Sequence, residues 1–404
     1  MTEPTTPGAL DGTRVLDLSR VLAGPWSTQV LGDLGAEVVK VEQPGAGDDT
    51  RAWGPPFLPG SQDSAYFSCA NRNKRSIAID IASAEGQALV RRLAAVSDVV
   101  VENFRVGGLM KYGLDYESLR AVKPDLVWCS VTGFGQTGPE KDRGGYDFLI
   151  QGMSGLMSVT GDADGPPTKV GIPISDLTTG LYAAISILAA LRHRDRTGEG
   201  QRIDLALLDA QLAVMSNQAA NWLNGGPEPR RLGNQHPNIV PYQVFACADG
   251  DILIATANDR QYAKMCRVLA MDELAVDPRF AEMSGRGTNR DALLALIEPA
   301  IARWQSDELV AALNDAGVPS GRINTVPEAL AHPQVAARGQ VGTLTRQDGS
   351  AVRFVGFPAK LSASPATYRN APPRAGEDGT AVLEEVLGLQ ADEIARLRDA
   401  GTVG

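Results

Sequence analysis

Asp176, in the segment GIPISDLTTG, stands at the head of a run whose following residues are overwhelmingly apolar. A carboxylate there has two readings. It is an N-cap that accepts backbone N–H bonds at a helix start, or it is a nucleophile. With an ordinary pKa of ~3.9 it is ionised at neutral pH and needs no general base. Composition alone does not choose between them. A basic cluster, Arg72-Asn73-Lys74-Arg75, precedes a β-type run and is either a solvated loop or a seat for the phosphates of a nucleotide-bearing ligand. Gly133-Phe134-Gly135-Gln136-Thr137-Gly138 is a literal GxGxxG after a predicted strand. The dinucleotide fingerprint needs its last glycine inside a helix that packs on the sheet. Here PEKDRGGYD follows, without apolar periodicity, so the segment reads as a glycine loop at the carboxyl end of a strand, a place that borders ligands in open α/β sheets. Gly152-Met153-Ser154-Gly155 is one residue too tight for a GxSxG elbow, and no GxxxxGK[ST] exists. The three histidines (His193, His236, His332) and four cysteines (Cys69, Cys129, Cys247, Cys266) match no metal-ligand spacing, so no metal site is expected.

The elements that must position these groups alternate. Short apolar β-type runs at Arg14 to Ser19, Glu37 to Glu42, Ser76 to Ile81, Asp98 to Asn103 and Leu126 to Gly133 are separated by helical patterns. One of these, SAEGQALVRRLAAV, is led by Ser83 as N-cap with Glu85 in its first turn. Strand, helix, strand repetition means a parallel sheet. Longer helical stretches follow at Tyr146 to about Val159 and Ser175 to about His193, after which RDRTGEGQR reads as a turn or domain edge. The Gly-, Pro- and Asn-rich run NGGPEPRRLGNQHPN marks a boundary. Beyond it, YQVFACADGDILIATA reads as a hairpin around Asp249-Gly250, followed by helices from Arg260 to about Leu313. Two more β-type runs (VGTLTR, AVRFVGFPAKL), a Pro-rich stretch and an acidic helix pair end the chain. The expected division is 1–200 as a large domain, 201–235 as linker, 236–330 as a small α+β domain, and 331–404 returning to the large domain.

With 404 residues, 43% hydrophobic, and 48 acidic against 38 basic side chains for a net charge of -10, the chain is of ordinary globular composition. With an acidic balance and no run of five or more Lys/Arg, neither nucleic acid nor an anionic membrane surface is an expected partner. The apolar stretch Leu181 to Leu191 is about half of the ~20 residues a bilayer helix needs. The N-terminal residues carry no secretory pattern, so a cytoplasmic location is expected.

Several segments together resemble the class III coenzyme A transferases of the CaiB/BaiF type, the family that includes formyl-CoA transferase, carnitine CoA-transferase and the 2-methylacyl-CoA racemases. They are LDGTRVLDLSRVLAGPWSTQVLGDLGAEVVKVEQPGAGDDTR, NRNKRSIAIDI, VVVENFRVGGLMKYGLDYESL, LVWCSVTGFGQTGP, GGYDFLIQGMSGLMSVTG and VGIPISDLTTGLYAAISILAAL, and the match runs nearly end to end. The resemblance implies that Asp176 is the nucleophile and that CoA is contacted at Leu22 and Ala23, at Asn73, Lys74 and Arg75, at Asn103, Phe104 and Arg105, and near Lys111. The family often carries Arg at phosphate positions where this chain has Gln43 and Lys111. The acidic residue beside the nucleophile falls on Asp147, after Tyr146. Racemases have Gly-His-Asp at that motif, and a phenol near pKa ~10 is a poor substitute for an imidazole near ~6.5. A transferase is therefore the expectation, with a 2-methylacyl-CoA racemase as the alternative.

The implied chemistry exchanges one activated acyl for another through an aspartyl mixed anhydride and an aspartyl-CoA thioester. It needs no tightly bound cofactor, since CoA and acyl-CoA are substrates. Water is the hazard, and GFGQTG or Gly225-Gly226 are candidate closing loops. LGNQHPNIVPYQVF resembles members that use succinyl-CoA or another dicarboxyl thioester with a dicarboxylate acceptor. His236, Gln235 and Arg230 or Arg231 are the expected clamp, and formyl-CoA:oxalate specificity is the runner-up. His236 is otherwise a turn residue before Pro237. The implied fold is α/β: a Rossmann-like large domain and a small α+β domain in an interlocked homodimer.

Overall fold

A computed structural model describes residues 7–404. Six parallel strands form one sheet: β1 (Arg14–Asp17), β2 (Glu37–Glu42), β3 (Lys74–Ala78), β4 (Val99–Glu102), β5 (Val127–Thr132) and β6 (Arg202–Ala206), in the order β3-β2-β1-β4-β5-β6. Strands β1 to β5 are buried on both faces, which is why they read as continuous apolar runs. Alternate side chains feed two cores. Leu16, Val39, Ile77, Val100 and Trp128 enter one, and Val15, Val38, Val99, Val101 and Val127 the other.

The helices of this part are α1 (Ala23–Asp33), α2 (Ala65–Ser68), α3 (Ala84–Ala95), α4 (Tyr116–Arg120), α5 (Asp147–Met153), α6 (Leu156–Val159), α7 (Ile174–Thr197), α8 (Leu207–Val214) and α9 (Ser216–Leu223). Helices α3 and α4 cover the first face, and α1, α5, α7 and α8 the second. Ser83 caps α3 by accepting the Gly86 N–H. The stretch expected as one helix to Val159 breaks after Met153, where Gly155 takes φ +85° and separates α5 from α6.

The chain divides into two compact units. The first comprises residues up to Leu156, Val170–Asn224 and Gln334–Gly404; the second comprises Met157–Lys169 and Gly225–Pro333. Residues 201–224, expected as linker, form β6, α8 and α9 of the first unit. The polar run before β6 hid it, because an edge strand with alternating exposure shows no apolar run.

In the second unit, β7 (Tyr242–Ala246), β8 (Asp251–Ala255) and β9 (Ser320–Arg322) make an antiparallel sheet. It shares a core with α10 (Asp259–Val268), α11 (Asp272–Val276), α13 (Arg290–Ile301) and α14 (Ser306–Asp315); α12 (Met283–Thr288) precedes α13, and α15 (Val326–Ala331) follows α14 and β9. The returning segment carries α16 (Pro333–Ala337), the hairpin β10 (Val341–Thr345) and β11 (Ala351–Val355), α17 (Gly379–Glu385) and α18 (Ala391–Asp399). Val382, Leu383, Ile394 and Leu397 complete the core on the α3 face.

Helix α7 runs well beyond Leu181–Leu191 at both ends and is, by length and composition, long enough to cross a membrane. In this fold Ala183, Ala184, Ile187, Ala190 and Leu191 pack into the sheet's second core.

Candidate active site

Doubly wound sheets bind ligands outside the carboxyl ends of the strands, where the strand order reverses. Here that point lies between β1 and β4. A cavity of about 260 Å³ opens there, walled by Leu18 beyond β1, Gln43 beyond β2, Ile79 to Ala82 beyond β3, and Phe104 and Tyr112 beyond β4. The loop from β1 to α1 is held by buried ion pairs. Lys40 Nζ lies 2.9 Å from Asp48 and donates to the Ser19 carbonyl at 2.8 Å, and Asp48 accepts the Val21 N–H at 3.2 Å. Those bonds keep Val21 at φ +68°, a strained geometry for a β-branched residue and one that clusters at functional sites.

Leu22 and Ala23 follow, buried at the head of α1. Asn103 accepts the Arg20 N–H at 2.9 Å and donates to the Arg20 carbonyl at 2.7 Å, closing the rim between β1 and β4. The Arg20 guanidinium lies 5.5 Å from the Phe104 ring, and Lys111 Nζ lies 4.6 Å from that of Tyr112. Arg105 and Lys111 are exposed and add positive charge around this edge, while Arg20 lies 3.7 Å from Asp49.

The cluster at residues 73–75 is elsewhere. Parallel strand β3 begins at Lys74, so the cluster sits at its amino end, opposite the ligand edge. Its polar atoms are engaged within the protein. Asn73 donates to Asp33 and to the Thr367 carbonyl and accepts from Arg369 and Asn370 N–H groups. Lys74 is buried against Asp17, Asn71 and the Pro25 carbonyl. Burial brings Lys74 down to about 8, while against the same burial Lys74 and Lys40 hold Asp17 down at about 2. Arg75 bridges Glu37 and Glu385. These three residues fasten the returning segment and the base of the sheet. The residues of that stretch on the cavity are Ile79 to Ala82, legible in the sequence once the direction of the strand is taken into account.

Asp176 lies in the first turn of α7 but does not cap it. Asp147, at the start of α5, does so from outside: its Oδ1 accepts the Ser175 N–H at 2.8 Å and the Asp176 N–H at 3.4 Å. The α7 N-terminus favours a negative charge, and Asp147 supplies it. Burial, and then the Asp147 charge, push Asp176 up to about 7. Two neighbours hold the turn: Ser175 Oγ donates to Gln211 of α8, and Gly180 lets α7 approach α1 closely. Tyr146 is exposed beside Asp147.

Tyr66, on α2, is electrostatically coupled to both carboxylates, and nothing in SAYFS marks it in the sequence. Burial, and then the charges of Cys69, Asp176 and Asp147, push its phenol up to about 12, so it stays protonated at neutral pH. Its ring lies 5.3 Å from that of Trp53.

The GFGQTG loop has no helix after it until α5. Gln136 N–H donates to Asp204 at 3.1 Å, and a Cβ on Gly133 would lie 2.6 Å from Gly145 Cα, so the loop is pinched shut at its neck. In the second unit, His236 is a turn residue. Its Nδ1 accepts the Asn238 and Ile239 N–H groups at 3.0 Å, which leaves only Nε2 for any ligand. Gln235 Oε1 accepts from Arg290 at 3.4 Å, and the His236 carbonyl accepts from Arg290 at 2.8 Å. Burial, and then Arg290, hold the His236 imidazole below its ordinary range, so it carries no positive charge to clamp a carboxylate at neutral pH.

Among the described residues no cluster of His, Cys, Asp or Glu could hold a metal. The arrangement offers one raised carboxylate at a helix start, a second that fixes it, and a cavity at the carboxyl edge of the sheet lined in part by Arg20. A family model described as CoA-transferase family III matches residues 10–379.

The chain belongs to that family. It is therefore an enzyme that transfers CoA, with CoA thioesters as substrates. The chain is 48% identical over 387 residues to a succinate–glutarate CoA-transferase from Agrobacterium fabrum, covering 95% of this chain and 97% of that one. It is 41% identical over 394 residues to the human succinyl-CoA:glutarate CoA-transferase, covering 98% and 90%. The crystal structure of a CaiB/BaiF family protein from Brucella suis is 50% identical, with a TM-score of 0.83, and covers 94% of this CoA-transferase and all (100%) of that chain.

Proposed function

We propose that this CoA-transferase moves CoA from succinyl-CoA to a dicarboxylic acid, glutarate being the first to test, with Asp176 as nucleophile. The observation that carries the reading is the place of Asp176: a carboxylate alone on the first turn of α7, not used as a cap, with Asp147 against its backbone. The near relatives named for succinyl and glutaryl transfer support the substrate class.

Ionised Asp176 attacks the thioester carbonyl, forming a mixed anhydride and releasing CoA thiolate. The thiolate attacks the aspartyl carbonyl of the anhydride, which frees the donor acid and leaves an aspartyl-CoA thioester. The acceptor carboxylate attacks that thioester, and the thiolate then takes the acceptor acyl group and restores the Asp176 carboxylate. Each step exchanges acyl groups of similar activation, so no ATP is consumed. The Tyr66 phenol and N–H groups around α7 are the donors available to the developing oxyanions. CoA lies along the crevice, its base against Leu18, Phe104 and Ile81 and its phosphates toward Arg20, Arg105 and Lys111. The chain works as an interlocked homodimer, a reading that its exposed apolar helix faces support.

Mass spectrometry of thioesters formed from succinyl-CoA and a panel of carboxylates tests this directly. Glutaryl-CoA is expected from the wild type and none from Asp176→Ala, with succinyl-CoA binding retained. Turnover by that variant overturns the nucleophile. A 2-methylacyl-CoA that gains deuterium from heavy water, with no new thioester, overturns transfer in favour of racemisation.

A further inference from the structure

Gln151 is completely buried on α5, four residues after Asp147, in a place where a polar side chain needs partners. It has three. Its Nε2 donates to Asp147 Oδ2 at 2.7 Å and to the Ile172 carbonyl at 3.4 Å, and its Oε1 accepts the Val170 N–H at 2.8 Å. This set admits only one orientation of the amide, since two acceptors face the nitrogen and one donor faces the oxygen. Val170 is where the chain re-enters the first unit after residues 157–169, and Asp176 lies six residues on. Gln151 therefore ties together the carboxylate that caps α7 and the strand of backbone that leads into it. Asp147 then carries the tie to Ser175 and Asp176 through its other oxygen.

We propose that Gln151 is a positioning residue for the transfer reaction, holding Asp147 against the α7 N-terminus and so fixing where Asp176 stands and how readily it ionises. The inference rests on Asp176 being the nucleophile. Gln151 touches no reacting atom. Its effect passes through five hydrogen bonds, three of its own and two of Asp147. Without the amide, Asp147 loses the donor on its Oδ2 and the Val170 N–H loses its bond to Oε1, while the Ile172 carbonyl keeps the Ile174 N–H at 2.8 Å, at the point where the chain must turn toward Asp176. The charged and titratable groups on the packed elements are few. Asp147 on α5 and Tyr66 near the two carboxylates bear on Asp176; α8 contributes neutral Gln211, with Asp209 exposed; Asp33 of α1 is paired with Arg72; Asp204 of β6 receives the Gln136 N–H. The acid limb of the reaction is therefore a readout of the Asp147–Asp176 pair, and a change in Gln151 is read through it.

The test is the pH profile of kcat and kcat/KM for succinyl-CoA between pH 5.5 and 9 in the full-length wild type, Gln151→Ala, Gln151→Met, Asp147→Asn and the Asp147→Asn/Gln151→Ala double variant. Gln151→Met keeps the volume, so it serves where the alanine leaves a cavity that impairs folding. Both Gln151 variants are expected to lose tenfold or more in plateau kcat, since a full ångström of misplacement costs about a hundredfold, with KM for the thioester changed less than threefold. Their acid limb is expected about half a pH unit or more lower, because Asp147, no longer held by the amide, carries its negative charge farther from Asp176. The double variant is expected to show the limb of Asp147→Asn, since Gln151 acts through that carboxylate. A Gln151→Met enzyme with wild-type kcat and an unmoved limb overturns the proposal. So does a loss of amplitude with no movement of the limb, the mark of a purely structural side chain. Asp176→Ala, measured alongside, separates the two failures: activity there sinks the nucleophile, whereas an inactive Asp176→Ala with indifferent Gln151 variants sinks only the positioning role.

Discussion

At the scale of the residue, Asp176 sits where ionisation is costly and reaction requires it. The nucleophile is the carboxylate, and the group is held up at about 7, so kcat/KM for the thioester is expected to rise tenfold per unit below that pH and to level off above it. The same shift is a statement about stability, with the opposite sense. A folded-state pKa raised above the unfolded value gives stability that is fully present below the ordinary carboxylate range and lost as pH rises through about 7. Asp176→Asn removes the titration. It is expected to be more stable than wild type by about 2 kcal/mol at pH 8, with the difference closing toward pH 4. Thermal melts at the two pH values check it, and a gap independent of pH would show that the carboxylate is not strained by its surroundings. The aspartate was legible as a candidate at the head of an apolar run, but the pattern left cap and nucleophile open, and only the resemblance chose between them. Its reason not to be the cap was not legible, because the residue that does the capping, Asp147, is 29 positions away. Tyr66 was silent for the same reason, and Asn73 to Arg75 misled because a basic cluster reads alike whether its charges face a ligand or, like Lys74, a buried aspartate.

At the scale of the element, α7 must lie close to α1 if its first turn is to reach the rim beyond β1. Gly180 makes that approach: a Cβ there would stand 2.7 Å from the Ala23 carbonyl oxygen and 2.9 Å from Trp26 Cδ1. Gly180→Ala is therefore expected to cost about 1–2 kcal/mol despite its gain in helix propensity, and to lower kcat severalfold by displacing the turn that carries Asp176. Gly287, in α12, has nothing within 4 Å of its would-be Cβ. There the same substitution is expected to stabilise by roughly 0.5–1 kcal/mol. Urea unfolding of the two variants decides the matter by sign. The elements themselves were mostly readable: buried strands announce themselves as apolar runs and the Asp249-Gly250 hairpin by its turn. Edge strand β6 and three-residue β9 were not, since each is made by pairing with a neighbour rather than by its own pattern.

At the scale of the whole molecule, the first unit leaves several large apolar side chains uncovered on its helices. Phe148 on α5 is 62% exposed, Ile185 on α7 60%, Trp222 56% and Leu223 on α9 79%. Patches of this kind on a chain with net charge -10 mark a surface made for another protein surface. The occupant proposed is a second copy of this chain. In an interlocked pair each chain passes through the other, so dissociation requires unfolding, whereas a pair joined face to face separates on dilution. Two differently tagged preparations mixed at nanomolar concentration and held at room temperature are therefore expected to form no mixed dimers, and to form them in statistical ratio after joint unfolding in denaturant and refolding. Mixed dimers within hours in native buffer would mean an ordinary interface. A monomer by sedimentation velocity that is fully active would mean that the apolar helix faces serve some other contact. Leu223→Arg adds a direct check, since a charge buried without a partner at the interface is expected to reduce the yield of dimer and activity together, while the cores of both units, which do not include Leu223, stay folded.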